Sequence, residues 1–240
     1  MDLTYTLLFT VFPYLCLAVF VLGHAYRYIS DRYAWNARSS EFLEKKSLVY
    51  GSVIFHWGIV GTFLGHAGGL LIPQSAFDLF GIHQEAHMAL AYWMGLVVGI
   101  PAFVGSALLL WRRLSNRRVQ AAGTINDTIT LVGLLLVIGV GLYNVLFGHY
   151  NVLYTLAPWI RGLVTFVPDA QLMRPVPVSY QIHVLTAWAL LAFSPFSRLV
   201  HIWSLPLTYV FRPWIVFRRY PSAPLSAVGQ TQLADNGREA

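Results

Sequence analysis

Five runs of mostly apolar residues, at about 4–26, 47–72, 87–111, 125–148 and 180–205, take up about half of this chain. Each has about the 20 residues that an α-helix needs to cross a hydrocarbon core. A helix satisfies every backbone N–H and C=O within its own segment, which is what lipid demands of a lone spanning segment. The expected fold class is therefore an all-α integral membrane protein, a five-transmembrane-helix bundle. Composition agrees, since 57% of the 240 residues are hydrophobic and 11% are charged, well to the apolar side of a soluble domain. The net charge of +6 does not read as a nucleic-acid surface, because the basic residues stand beside the apolar runs and no separate polar domain carries them.

Those basic residues set the expected topology instead. The linker 27–46 holds Arg27, Arg32, Arg38, Lys45 and Lys46, the linker 112–124 holds Arg112, Arg113, Arg117 and Arg118, and Arg212, Arg218 and Arg219 follow the last run. The opposite side has only Arg161 and Arg174. Cytoplasmic loops carry the excess of Lys and Arg, so the N-terminus is expected outside and the C-terminus in the cytoplasm. Most of these charges are expected to meet anionic lipid headgroups, and some an extrinsic subunit. Asp2 leads the first run and Arg27 follows it, the reverse of a secretory signal, so the run reads as a retained span. Segment 151–168 is apolar too, but Asn151, Pro158 and Arg161 interrupt it, and counting it would move Arg212–Arg219 outside. An interfacial or re-entrant segment is expected there. Tyr26, Tyr50, Trp111, Trp203 and Tyr209 lie where an aromatic belt would. Residues 1–220 then form one membrane domain, and the polar stretch 221–240 a flexible cytoplasmic tail.

Cys16 is the one cysteine, which excludes an internal disulfide, a Cys-x-x-Cys metal knuckle and a cysteine-ligated iron–sulfur cluster within this subunit. It is expected to serve in packing. No phosphate loop, nucleophile triad or hydrolytic carboxylate pair is present.

Chemistry is concentrated in histidine. An imidazole in hydrocarbon is costly and needs a partner, yet His56 and His66 lie within the second run and His183 and His201 within the fifth. Ten residues on a helix give about 15 Å of rise and about 80° of rotation, so His56 and His66 can face one interior at two depths. Eighteen residues give five whole turns and about 27 Å, which puts His183 and His201 on one stripe. The two runs cross in opposite directions, so depth pairs His56 with His201 near the cytoplasm and His66 with His183 near the outside. Two neutral imidazoles from two helices suit the two faces of a haem iron. Two haems result, about 20 Å apart along the membrane normal on the mean of the two rises. With no Cys-x-x-Cys-His they are held non-covalently, as b type. Gly58, Gly61, Gly65, Gly68 and Gly69 surround the second run's pair and admit either a porphyrin or a neighbouring helix. His24 and His149 end runs and are expected at the interface. His83 and His87 flank Glu85 at the outer start of the third run, where they either pass protons or belong to a solvated loop. A haem-free proton channel or transporter, with histidines as proton carriers, remains an alternative.

Three stretches, RYAWNARSSEFLEKK at 32–46, FHWGIVGTFLGHAGG at 55–69 and FSPFSRLVHIWSLPLTY at 193–209, closely resemble the gamma subunit of membrane-bound respiratory nitrate reductase, a dihaem b-type cytochrome. The resemblance extends to about residue 220. It implies a multi-pass protein of a bacterial or archaeal inner membrane, with His56 and His201 on the cytoplasmic-side haem and His66 and His183 on the outer one as iron ligands. It also implies quinol oxidation beside the outer haem, with protons released outside. Electrons then pass inward through both haems to an iron–sulfur subunit and a molybdenum catalytic subunit that reduces nitrate. Members of the family place a lysine near that quinol, whereas this chain has HQEAH at 83–87 and no lysine in the loop. The implied quinol pocket is His66, Gly65, His83 and His87. The same scaffold also serves quinol-linked complexes of sulfite-reduction and heterodisulfide type.

Overall fold

The apolar runs fold as helices because nothing within them offers the backbone an alternative. The structure, a computed structural model, describes residues 2–30 and 43–203, and no strand occurs among them. Arg32, Arg38, most of the 32–46 stretch, Tyr209, Arg212, Arg218, Arg219 and the 221–240 tail lie outside the described residues. Four helices are long and apolar enough to cross a membrane: α1 (Leu3–Ser30), α2 (Lys46–Leu71), α3 (Gln84–Ser115) and α4 (Ile125–Gly148). At most 22% of the most apolar window of each is buried, so the remaining apolar surface is left for lipid. Between α4 and the last helix lies a short one, α5 (Leu156–Val164), in the segment expected to be interfacial or re-entrant.

The last apolar helix, α6 (Val178–Phe193), has 16 residues, about 24 Å of rise. The expected run to 205 is not continuous helix. Pro195 has no N–H to donate and its ring opposes a continuing helix, so the chain passes into a 3₁₀ turn at Ser194–Phe196. Ser197 is extended, and a second 3₁₀ turn, Arg198–Ile202, carries His201. His183 and His201 therefore do not share one helical stripe. The break removes the 27 Å rise that the continuous helix implied.

Packing runs α2 on α3, α3 on α4, α4 on α6 and α6 on α1. Glycine makes the first of these crossings close. A Cβ on Gly58 would fall 2.3 Å from the Ala102 backbone nitrogen, and one on Gly105 2.4 Å from that of Phe55. One on Gly61 would fall 2.6 Å from Val98 Cγ1. Association in lipid lacks a hydrophobic drive, so such close approach supplies the dispersion contact that holds membrane helices together. Cys16 is buried, as expected for packing.

At one end of the bundle, three helices carry a π turn, and each turn offers one carbonyl to a side chain from the segment 159–180. The turns are Leu7–Val11, Ala67–Leu71 and Asn144–Gly148. Trp159 Nε1 donates to the Phe9 carbonyl at 2.8 Å, Arg161 to that of Leu70 at 2.9 Å and the Tyr180 hydroxyl to that of Asn144 at 3.1 Å. In lipid a carbonyl without a partner costs several kcal/mol, so the first two bonds tie α5 to the bundle and the third ties the start of α6 to α4. Trp159 is 1% exposed, packed on Phe9 and Met173 in one apolar core.

The opposite end is charged. Arg112 and Arg113, expected among headgroups, are buried and paired: Arg112 Nε to Glu44 at 2.8 Å and Arg113 to Asp127 at 3.3 Å. Hydrogen bonds from Ser47, then Arg112, hold the Glu44 carboxyl down to about 2. Tyr26, Tyr50 and Trp111 are exposed here, as a belt requires.

Gly58→Leu is expected to destabilise the detergent-solubilised chain by about 3 kcal/mol or more, the upper end of overpacking costs. Gly65→Ala, where a Cβ meets nothing within 4 Å, is expected to leave stability unchanged or raise it by up to about 1 kcal/mol. Unfolding titrations in SDS separate the two.

Candidate functional site

The glycine face of α2 is spent on α3, which leaves His56 and His66 exposed on the remainder of the helix. Each bends back along its own helix. His56 Nδ1 lies 2.7 Å from the Ser52 carbonyl and His66 Nδ1 2.8 Å from that of Thr62. His183, on α6, is oriented by a neighbouring helix, with Nδ1 3.0 Å from the Val137 carbonyl of α4. Its ring rests against Gly141, where a Cβ would come within 2.8 Å of Cε1. His201 Nδ1 lies 2.5 Å from the Arg198 carbonyl, inside the second 3₁₀ turn.

A carbonyl oxygen only accepts, so in all four rings Nδ1 carries a proton, and in the neutral ring the lone pair is then on Nε2. This is the tautomer of a histidine prepared to bind a metal through Nε2, with its other nitrogen held by a backbone carbonyl.

The rings meet in the pairs that depth implied. His56 and His201 have ring centres 6.0 Å apart with planes at 61°, and His66 and His183 have centres 6.0 Å apart at 32°. Yet α2 and α6 are not packed closely on each other. A first-row metal binds imidazole nitrogen at about 2.0–2.1 Å, so a single ion between two opposed rings puts their centres about 6 Å apart. Among the described residues no three of His, Cys, Asp or Glu gather into a cage for a bare ion. Two opposed nitrogens without further protein ligands are the donor set of a metal whose other positions a macrocycle fills, and the residues present fit a haem at each pair.

The open side of α2 agrees with that fit. A Cβ on Gly65 or Gly68 would meet nothing within 4 Å, and one on Gly69 would meet only His87 Nε2, at 3.7 Å. The five glycines thus divide: Gly58 and Gly61 admit a helix, while Gly65 and Gly68 leave space beside His66.

The other histidines are placed apart. His87 is 3% exposed, stacked near Phe77 and donating from Nδ1 to Gln74 Oε1 at 2.7 Å. His83 is exposed, 3.4 Å from Asp78. Among the described residues no hydrogen bond or ring contact joins either to His66, so the structure brings together His66, His183 and the Gly65 opening and leaves His83 and His87 beside them. His24, expected at the interface, is buried against Phe20 and Trp203, because α1 continues six residues beyond it. His149 is exposed and stacked on Tyr92. Sequence reasoning missed Gly141 and the Val137 carbonyl. Their signal was the spacing of Gly133, Gly141 and Gly148 along α4, about two turns each, on the side where α4 meets Leu190, His183 and Tyr180 of α6.

The family model for the nitrate reductase gamma subunit matches residues 5–220. The chain is similar to the nitrate reductase gamma chain of Bacillus subtilis, 38% identical over 217 residues that cover 89% of this chain and 97% of the relative. It is similar to the respiratory nitrate reductase 2 gamma chain of Escherichia coli, 34% identical over 215 residues, 88% of this chain and 95% of the relative. It also matches part of the nitrate reductase-like protein NarX of Mycobacterium tuberculosis, 37% identical over 223 residues, 90% of this chain and 34% of that protein.

If the His183 ring needs the space above Gly141, then Gly141→Ala is expected to lower haem bound per chain toward half. Gly133→Ala, whose Cβ meets only the flexible end of Leu190, is expected to leave it unchanged. The pyridine haemochrome assay against protein concentration checks both.

Proposed function

The chain belongs to the nitrate reductase gamma subunit family, and on that premise we propose that it is the membrane anchor and electron-transfer subunit of a respiratory nitrate reductase. Its five apolar helices, α1–α4 and α6, cross the cell membrane of a bacterium or archaeon, with the N-terminus outside and the C-terminus in the cytoplasm. Charge supports this orientation: Lys45, Lys46, Arg112, Arg113, Arg117 and Arg118 stand at the His56 end, against Arg161 and Arg174 at the other. Residues 1–220 form the membrane domain and 221–240 a cytoplasmic tail.

The observation that carries the reading is the geometry of the four imidazoles, two couples at 6.0 Å with every Nδ1 on a carbonyl. His56 and His201 hold the inner b-type haem and His66 and His183 the outer one. Bound there, the two groups supply one-electron carriers between the faces of the membrane. The protein's part is to fix each ring in the neutral tautomer, to keep the space between α2 and α6 open and to surround it with apolar side chains.

Quinol is taken up at the outer end beside His66 and Gly65, with His83 and His87 at the margin. Its oxidation releases two protons outward and two electrons inward. The electrons are delivered at the His56 end to an iron–sulfur subunit and from there to a molybdenum subunit, which reduces nitrate in the cytoplasm. His87 suits the acceptance of a quinol proton where the family's lysine is missing: its Nδ1 donates to Gln74, so Nε2 is basic, and Gly69 leaves room beside it.

A dithionite-reduced spectrum of the purified chain is expected to show a sharp b-type alpha band equivalent to two haems. Substituting either member of a pair by Ala is expected to remove the same one of them. A flat spectrum would overturn the reading in favour of a haem-free proton carrier. His87→Gln is expected to retain both haems while slowing quinol oxidation at least about tenfold, the lower range for general acid–base catalysis, and altering its pH profile. An unchanged rate and profile would remove His87 from the site.

A further inference from the structure

Three of the four paired histidines take their orienting carbonyl from a regular α-helix, which is rigid without further support. His201 takes its carbonyl from Arg198 in a 3₁₀ turn that follows a helix break. Such a turn needs anchoring from outside, and a buried ion-pair network supplies it. Arg198 donates to Asp127 through Nε at 2.7 Å and Nη2 at 3.0 Å, a forked pair on a carboxylate that is 8% exposed. Asp127 also takes Arg113 at 3.3 Å and the Thr124 N–H at 3.0 Å, the latter closing the capping box of α4. Arg113 is held in turn by Thr128 Oγ1 at 2.7 Å and the Thr124 carbonyl at 2.5 Å. It lies over Gly123, where a Cβ would strike the guanidinium at 2.3 Å. From the other side Arg27 donates to the carbonyls of Pro195 at 2.6 Å and Ser197 at 3.2 Å.

We propose that Asp127 is a positioning residue for the inner haem: through the side chain of Arg198 it fixes the carbonyl that sets the plane of His201, and its charge offsets two guanidinium groups beside that haem. The proposal rests on the reading in which His56 and His201 are axial ligands. Two effects follow from the chemistry. Without the carboxylate, Arg198 loses its forked partner and the 3₁₀ turn its fixed register, so the angle between the His56 and His201 planes relaxes. Arg113 and Arg198 are also left uncompensated, and added positive charge favours the reduced, less positive form of a nearby redox centre. Neither effect reaches the His66 and His183 pair, which take their carbonyls from Thr62 and Val137.

The test is redox potentiometry and low-temperature EPR of the full complex in membranes, wild type against Asp127→Asn and Asp127→Glu. The inner haem is identified by its loss in His56→Ala. Asp127→Asn is expected to raise the midpoint potential of the inner haem and shift its low-spin ferric signal, with the outer haem unmoved, and Asp127→Glu to restore most of both. Potentials and signals unchanged in Asp127→Asn overturn the proposal, as does an equal change at both haems, which is what a merely structural role produces. If Asp127→Asn does not accumulate, Arg198→Lys, which keeps the charge and lacks the fork, is expected to shift the low-spin signal of the inner haem alone with its potential little changed, and an unchanged signal overturns the proposal. A wild-type complex without b-type haem in this chain would sink the ligand reading instead, and is told apart by the absence of any signal to shift.

Discussion

A polar group surrounded by hydrocarbon must find its partner within the protein, and most of what is distinctive in this bundle follows from that rule. The backbone obeys it along the regular helices at no further cost. Where three helices pass into π turns at the His66 end, carbonyls are offered outward, and an indole and a guanidinium from α5 and a phenol from α6 take one each. The same rule acts on the imidazoles. Each has two nitrogens to account for, and the backbone accounts for one. The rings themselves stand in two facing couples, their centres 6.0 Å apart.

Whether that gap persists is decided by small residues. Helix α2 carries glycine along one face at two depths, and the two depths do opposite things. Gly58 and Gly61 let α3 approach until backbones touch, while the positions of Gly65 and Gly68 stay open. A larger residue at the first pair would drive the helices apart. At the second a Cβ would meet nothing within 4 Å. One composition, rich in glycine, thus supplies both the tightest contact in the bundle and its most open surface, and the difference lies only in which residues stand opposite.

The long helices and the histidine pairing were legible in the sequence because both depend on length and order alone. Apolar run lengths located α1 to α4 within a few residues, and antiparallel crossing paired His56 with His201 and His66 with His183. The helix break was not read, although Pro195 in the stretch FSPFSR announces it. Treating 180–205 as one helix produced unequal rises for the two histidine pairs, and that inequality was itself the sign of a break. Gly141 was missed for a different reason: its effect lies in what stands across from it, His183, 42 positions along the chain. The buried state of Arg112 and Arg113 escaped for the same reason, since a basic residue reads as solvated until its carboxylate is located in space.

Burial of these arginines changes how the basic face reads for orientation. A count of Lys and Arg per loop treats every cation as facing the aqueous phase, yet Arg112, Arg113 and Arg198 are engaged with Glu44 and Asp127. With those engaged arginines set aside, Lys45, Lys46, Arg117 and Arg118 are still exposed at the His56 end. At the other end Arg174 pairs with Asp2, and Arg161 donates to a carbonyl. The asymmetry therefore survives removal of the internally engaged charges and still supports the proposed orientation. It also separates two functions within one basic face. The buried arginines join α3, α4 and the turn that bears His201, and the exposed residues are left to meet headgroups and the electron-accepting subunit that the reading places there.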